Sequence, residues 1–355
     1  MPRGPLDTHL VMTTLPGLID VHVHLREPGA THKEDFSSGS KAALAGGFTF
    51  VLDMPNNPAP TVSIESLQQK IQLADGKAVC DIGFNYGTDG NNLNTFIEAS
   101  SNPRVFGLKI YCNHTTGNLL VNDPQILDAI FAAWKSEKPI LAHAEGEQLA
   151  LVINLAKKHE RRLHVCHISR SEEVDMVRKA KAAGQTLTSG VTPHHLFLTD
   201  IDAQKLGPFG IVKPYITSKT DQDALWEGIM DNTIDLVESD HAPHTREEKL
   251  GTPPPFGMPG LETTLGLLGK AAHQGKLSVS DITRLLHDAS KQIFNIPDQP
   301  DTHIEVDFDE SYVLDAKNFY TKAQWSPFED WELYGRIKTV VVRGREIIRD
   351  NKLLE

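Results

Sequence analysis

Residues 17–29, GLIDVHVHLREPG, carry the reading on which the fold turns. The stretch opens as an apolar run and ends on two histidines, an arginine and a glutamate. In a strand, successive side chains alternate faces, so His22 and His24 point the same way. Two imidazoles on one face suggest a metal site. A pair of hydrogen-bonded core histidines is the competing reading, and this stretch alone leaves both open.

Strand and helix signals alternate outward from it. Apolar strand candidates cover 17–25, 48–54, 80–86, 105–112, 139–145, 163–169, 186–192 and 234–240, with amphipathic stretches such as 35–45, 63–74, 123–136, 146–159 and 171–183 between them. Eight such alternations predict strands buried on both faces, and hence a closed parallel (β/α)8 TIM barrel. An open doubly wound sheet is the alternative, but no glycine-rich phosphate loop follows the first strand. Next come GTPPPFGMPG (251–260) and helical stretches near 261–274 and 278–293. The tail GRIKTVVVRGREIIRD (335–350) reads as a hairpin about Arg343-Gly344, outside the barrel. The predicted organisation is a flexible leader over 1–14 and a single barrel domain over 15–355, with a short C-terminal β appendage over about 300–355.

A chain of 355 residues suits one such barrel. Its 39% hydrophobic and 23% charged residues match a globular protein with a substantial core. The net charge of −12 argues against a nucleic-acid partner, while leaving room for a local basic pocket that holds an anionic substrate. Cys80, Cys112 and Cys166 lie in or beside apolar runs without paired spacing, so a reducing cytoplasm is expected rather than a disulfide framework. No apolar run approaches the length of a membrane span. The first fourteen residues lack the apolar centre of a signal peptide.

In a barrel of this type, chemistry collects where strands run into the βα-loops. The polar residues at those ends are His22, His24 and Arg26 on the first strand and Asp53 and Asn56 on the second. Lys109, His143, His167 and Asp240 follow on the fourth, fifth, sixth and eighth. Each has a plain structural reading: a satisfied core histidine, a snorkelling or ion-paired lysine, a helix-capping aspartate. Together, four histidines, an aspartate and a lysine suit a two-metal centre. An ammonium cannot bridge two cations, whereas a lysine that has taken up carbon dioxide presents a carboxylate and can.

GLIDVHVHLREPG, MPNN, GLKIY, AHAE, CHISR, TPHHLFL, SDHAPH and PGLETTL, in this order, closely resemble dihydroorotase, a cyclic amidohydrolase of the amidohydrolase superfamily. The resemblance runs from about residue 15 to the C-terminus and is nearest to the dihydroorotase domain of CAD-type multifunctional proteins. It implies zinc-dependent, reversible cyclisation of N-carbamoyl-L-aspartate to dihydroorotate in pyrimidine synthesis. It further implies His22 and His24 on one zinc, His143 and His167 on a second, and N6-carboxylated Lys109 bridging both. Asp240 would complete the first site and carry the proton. Substrate contacts map onto Arg26, Asn56 and His244, with the backbone near Phe256 and Gly257. A homodimer and association with other pyrimidine-pathway enzymes or domains are implied as well. Allantoinase and hydantoinase share the barrel and the bridging lysine, and a catalytically silent scaffold is the reading from a different class.

Three departures stand out. Gly190 occupies the position where the CAD-type domain has a glutamate that helps hold a third zinc with a cysteine matching Cys166, which puts that ion in doubt. Lys213 replaces a substrate-binding arginine, keeping the charge but losing the two-pronged fork. The loop after the fourth strand keeps Thr115 but has Thr116 in place of phenylalanine, so its closure is expected to differ. The chain also lacks the long N-terminal stretch from which free-standing relatives build a β-sandwich.

Overall fold

The computed structural model describes residues 12–354. After a short strand β1 (Thr13–Pro16), the chain forms β2 (Leu18–Val23), β3 (Phe48–Asp53), β4 (Asp81–Gly87) and β5 (Val105–Tyr111). It continues through β6 (Ile140–His143), β7 (Leu163–Val165), β8 (Leu187–Val191) and β9 (Leu236–Val237). Strands β2 to β9 pair in parallel, each with its successor. The last meets the first through a parallel bridge between Val23 and His241, where the His24 N–H donates to the His241 carbonyl at 2.8 Å. The barrel expected from the alternating pattern is present.

Every residue of β2, β3 and β5 is buried, as strands covered on both faces must be. Capping residues begin the flanking helices where the polar punctuation predicts them. Asp35 accepts the Ser38 N–H ahead of helix Phe36–Ala45, and Asp123 caps Pro124–Ala133, whose proline sits where its missing N–H costs nothing. Ile19, Phe50, Phe106, Leu141, Leu236 and Phe294 pack together at the end where the strands begin. The opposite end is left for chemistry.

Strands β10 (His303–Val313), β11 (Glu332–Val342), β12 (Arg345–Arg349) and β13 (Lys352–Leu353) form an antiparallel sheet outside the barrel. The hairpin predicted about Arg343-Gly344 is its β11–β12 pair. The sheet is larger than that hairpin because β1 joins its edge, with Thr13 opposite Val306 and Pro16 opposite His303. Thr13 and Thr14 are therefore paired strand residues rather than leader; residues 1–11 of the predicted leader lie outside the described residues. Helix Thr264–His273 seats this sheet on the barrel. A Cβ added at Gly269 would stand 2.3 Å from the Tyr334 carbonyl oxygen, so only glycine permits that approach. Among the described residues no helix is long and apolar enough to cross a membrane, and all three cysteines are buried and unpaired.

Candidate metal centre and substrate pocket

The strand ends bring the polar residues together. His22 lies on β2, with His24 and Arg26 just beyond it. Lys109 is on β5, His143 ends β6, and His167 and Asp240 follow β7 and β9. All seven side chains are buried. Arg26, His167 and Asp240 adopt φ values of 62°, 35° and 45°. That left-handed backbone costs a non-glycine residue about 1–2 kcal/mol, and it persists where surrounding contacts impose it.

Hydrogen bonds fix which atoms face inward. His24 Nδ1 donates to Asn56 Oδ1 at 2.8 Å, and the Asn56 amide is itself oriented by donation to the Thr116 carbonyl at 2.9 Å. The His24 Nε2 lone pair is thereby left facing Asp240 Oδ1 at 3.1 Å. His22 Nδ1 donates to Glu238 Oε2 at 3.2 Å, which turns its Nε2 toward the same Asp240 oxygen at 3.5 Å. Burial pushes the His24 ring down to about 4, so it is neutral near pH 7. Burial works against Asp240 ionisation, yet the His22 and His24 rings outweigh it and hold the carboxyl below the usual range. One ligand atom each of His22, His24 and Asp240 lies within 4.8 Å of the others, a grouping that could hold a cation.

Beside them His143 Nδ1 stands 3.1 Å from His167 Nε2. Burial pushes both rings below their ordinary range. Lys109 is fully buried; its ammonium donates to Cys166 Sγ at 3.1 Å, and no carboxylate among the described residues pairs with it. An unpaired ammonium at such depth is costly. A carbamate at this position would be an anion, and cations held by the neighbouring histidines would offset the cost of burying it. The residues present fit a pair of divalent ions.

Glu238 is the residue that sequence reasoning missed. It lies just past β9, fully buried, and fills the space above Gly190: a Cβ added there would come within 2.6 Å of Glu238 Oε1. A carboxylate thus occupies the neighbourhood that the glycine leaves empty, brought there by the adjacent strand. Glu238 also accepts the His167 N–H, so one carboxylate braces a ligand from each half of the centre. Ligand atoms of His22, Cys166 and Glu238 also lie within 4.8 Å of one another. An alignment of strand ends gives no sign of such a fill, because it depends on how two neighbouring strands pack.

Of the remaining candidates, Arg26, Asn56, Thr115, Lys213, Phe256 and Gly257 line one small pocket together with His22, His24, His143, His167 and Asp240, whereas His244 is fully buried outside its lining. Arg26 donates from Nε to the Pro243 carbonyl at 3.0 Å and lies beside His244. Burial lowers Arg26 to about 10, which leaves it a cation with no carboxylate of its own among the described residues. Asn56 keeps one amide hydrogen free after bonding Thr116. Thr116 also donates its hydroxyl to the Phe256 carbonyl at 3.2 Å, so this residue, where phenylalanine was expected, ties the loop across the mouth. The Lys213 ammonium sits 3.8 Å above the centre of the Tyr215 ring. Tyr111, unremarked in the sequence, adds a buried hydroxyl with no hydrogen-bond partner to the same cavity.

His195 of TPHHLFL is structural. Thr192 Oγ1 donates to its Nδ1 at 2.7 Å, and its Nε2 donates to the Pro214 carbonyl at 3.2 Å, beside Lys213. Both bonds need a neutral ring, and burial pushes it down to about 4. Because the folded value lies below the ordinary 6.5, its stabilising contribution is complete above pH 6.5 and is lost as pH falls toward 4. In equilibrium unfolding, His195→Gln is expected to flatten the loss of stability between pH 6.5 and 4; an unchanged slope would refute this.

The amidohydrolase family profile matches residues 13–282. The chain is 41% identical over 342 residues to multifunctional protein pyr1-3 of Dictyostelium discoideum, covering 96% of this chain but 15% of that protein's length. It is 33% identical over 358 residues to the dihydroorotase of Pyrococcus furiosus, covering 96% of this chain and 82% of the relative. Among solved structures, the L-hydantoinase (dihydropyrimidinase) of Arthrobacter aurescens superposes with a TM-score of 0.90 at 23% identity, over 96% of this chain and 86% of that one, which is a likeness of fold. The inactive dihydroorotase-like domain of the CAD-like multifunctional protein of Chaetomium thermophilum superposes with a TM-score of 0.82 at 26% identity, over 97% and 96% of the two chains.

Proposed function

Since the chain belongs to the amidohydrolase family, and within it to the dihydroorotases, we propose that it catalyses the reversible cyclisation of N-carbamoyl-L-aspartate to (S)-dihydroorotate in pyrimidine synthesis. One observation carries the reading: six buried ligand positions converge directly beside Arg26, a buried cation without a carboxylate partner.

His22, His24 and Asp240 would hold one zinc and His143 and His167 a second, with an N6-carboxylated Lys109 as the anion shared between them. Such a pair, when bound, supplies Lewis acidity toward the ring amide and water acidic enough to ionise near neutrality. Asp240 takes the proton released on ring opening and delivers it to the departing ring nitrogen; ring closure reverses the transfer. Arg26, the free amide hydrogen of Asn56 and His244 hold the substrate carboxylate. Phe256 and Gly257 flank it with backbone groups, Lys213 adds positive charge, and the loop at Thr115 covers the pocket. We assign Glu238 to orienting His22 and His167 rather than to holding a third zinc with Cys166, and three ions per chain would refute that assignment.

Arg26→Met is expected to weaken dihydroorotate binding by about 2–3 kcal/mol while retaining both zincs, as removal of a desolvated charged hydrogen bond should. Steady-state kinetics and metal analysis check this together. Loss of zinc, or an unchanged KM, would show that Arg26 has another role.

Zinc-loaded protein assayed on dihydroorotate, hydantoin and allantoin tests the activity itself, and turnover of dihydroorotate above the other two is expected. The scaffold reading draws on the inactive Chaetomium domain, and full zinc occupancy with no turnover of any of the three would establish it. By likeness to the multifunctional relative, we place this barrel among other pyrimidine-pathway enzymes or domains, as a homodimer. A cytoplasmic setting suits its three free, buried thiols.

A further inference from the structure

Lys249 ends a short helix (Arg246–Lys249) beyond β9, and its side chain is fully buried. Its Nζ donates to three backbone carbonyls, those of Ile211 at 2.9 Å, Pro255 at 2.9 Å and Gly257 at 3.0 Å. Three acceptors call for the ammonium, since a neutral amine carries only two hydrogens. Burial pulls Lys249 down to about 7, and the three carbonyl oxygens work against that fall by favouring the charged form. With every hydrogen given to the backbone, none is left for a carboxylate. The lysine holds main chain and nothing else.

The carbonyls belong to two separate connections. Ile211 lies between β8 and β9, just ahead of Lys213, whereas Pro255 and Gly257 follow β9 and flank Phe256. The Gly257 N–H donates to the same Ile211 carbonyl at 3.2 Å, and Tyr215 meets Phe256 edge to face with ring centres 6.2 Å apart. The proposed function sets Lys213, Phe256 and Gly257 around the substrate, and the inference rests on that reading. Behind Lys249 stands Trp325, from the connection between β10 and β11, with its ring centre 5.7 Å from Nζ. The indole N–H donates to the His244 carbonyl at 2.8 Å, and Trp325 belongs to an apolar cluster that takes in Val212 and Met258. The appendage thus reaches the back of both loops. We propose that Lys249, backed by Trp325, is a positioning residue that sets the spacing of these two loops across the pocket. The fit of the substrate ring then depends on a buried ammonium that never touches it.

Lys249→Met keeps most of the apolar stem but takes the donor away from the Pro255 and Gly257 carbonyls, so the loops should shift. In zinc-loaded enzyme it is expected to raise KM for dihydroorotate roughly tenfold, with kcat and zinc content within about twofold of wild type. Amide hydrogen exchange in peptides covering 209–213 and 254–258 should quicken. Lys249→Gln, which retains two donor hydrogens, should fall between Lys249→Met and wild type, and it replaces Lys249→Met if that variant does not fold. An unchanged KM would overturn the proposal even with faster exchange, because Lys249 would then serve stability alone. A raised KM with unchanged exchange would overturn it as well, since the loops would not have moved. So would loss of zinc, or a fall in kcat at constant KM. Arg26→Met separates the two layers: if it raises KM and the Lys249 variants do not, the pocket stands and the role of Lys249 falls. If neither raises KM, the reading of the pocket falls instead.

Discussion

Lys109→Ala is expected to lose at least one zinc per chain and more than about a thousandfold in turnover, or roughly 4 kcal/mol of barrier. The reason lies in the barrel wall. Lys109 is fully buried on a strand whose every residue is buried, and its hydrogen-bond partner is a thiol. A permanent ammonium there, close to His143 and His167, would repel any cation bound by those rings. As a carbamate the same side chain becomes an anion that both metal sites can share. Metal analysis gives the first readout. Equilibration with 13C-labelled bicarbonate gives the second, since a carbamate signal should appear in the wild type and be missing in Lys109→Ala. Electron density for an unmodified Lys109 beside two bound zincs would refute the bridge.

Asp240→Asn should be nearly inactive in both directions while keeping metal. A carboxylate can bind metal through one oxygen and accept a proton on the other. Here Oδ1 is the atom that faces His22 Nε2 and His24 Nε2. Asparagine keeps one oxygen for weak coordination but offers no site that shuttles a proton. Ring opening needs Asp240 ionised and ring closure needs it protonated, so the wild-type pH profiles of the two directions should be opposed. Zinc content and both rates, measured on the same preparation, decide the matter. Appreciable activity of Asp240→Asn in either direction would remove Asp240 from proton transfer.

The gathering of the polar strand-end residues was legible in the sequence because barrel geometry converts sequence position into spatial position. A residue at the C-terminal end of one parallel strand is close to those at the ends of its neighbours, however many residues separate them. Histidine at 22, 24, 143 and 167, lysine at 109 and aspartate at 240 are therefore neighbours by topology alone. The start of the chain is different. β1 pairs with β10 across nearly the whole chain, and nothing local to TTLP marks it as a sheet edge rather than a leader.

The residues that aim the ligands were not legible either. Asn56 reads as a substrate contact from MPNN, and in the structure its carbonyl oxygen also accepts from His24 Nδ1 and so directs Nε2 toward Asp240. Thr116 looked like the loss of a phenylalanine, yet its carbonyl and hydroxyl join the loop to Asn56 and Phe256. Each of these roles is a matter of hydrogen-bond direction, which requires both partners to be placed.

The sequence by itself determined the barrel, the end at which the polar strand-end residues gather and the identity of those side chains. Strand periodicity and parallel topology suffice for all three. Tertiary structure alone decided how those side chains are oriented and what fills the gaps between them. Gly190 and Glu238 show the physical reason. Read in sequence, one is a missing carboxylate and the other an unremarked residue; in space the absent side chain of the first is the room in which the second sits, 2.6 Å from where a Cβ would be. Close packing makes the content of any void a property of two strands at once, and no pattern along one strand can specify it.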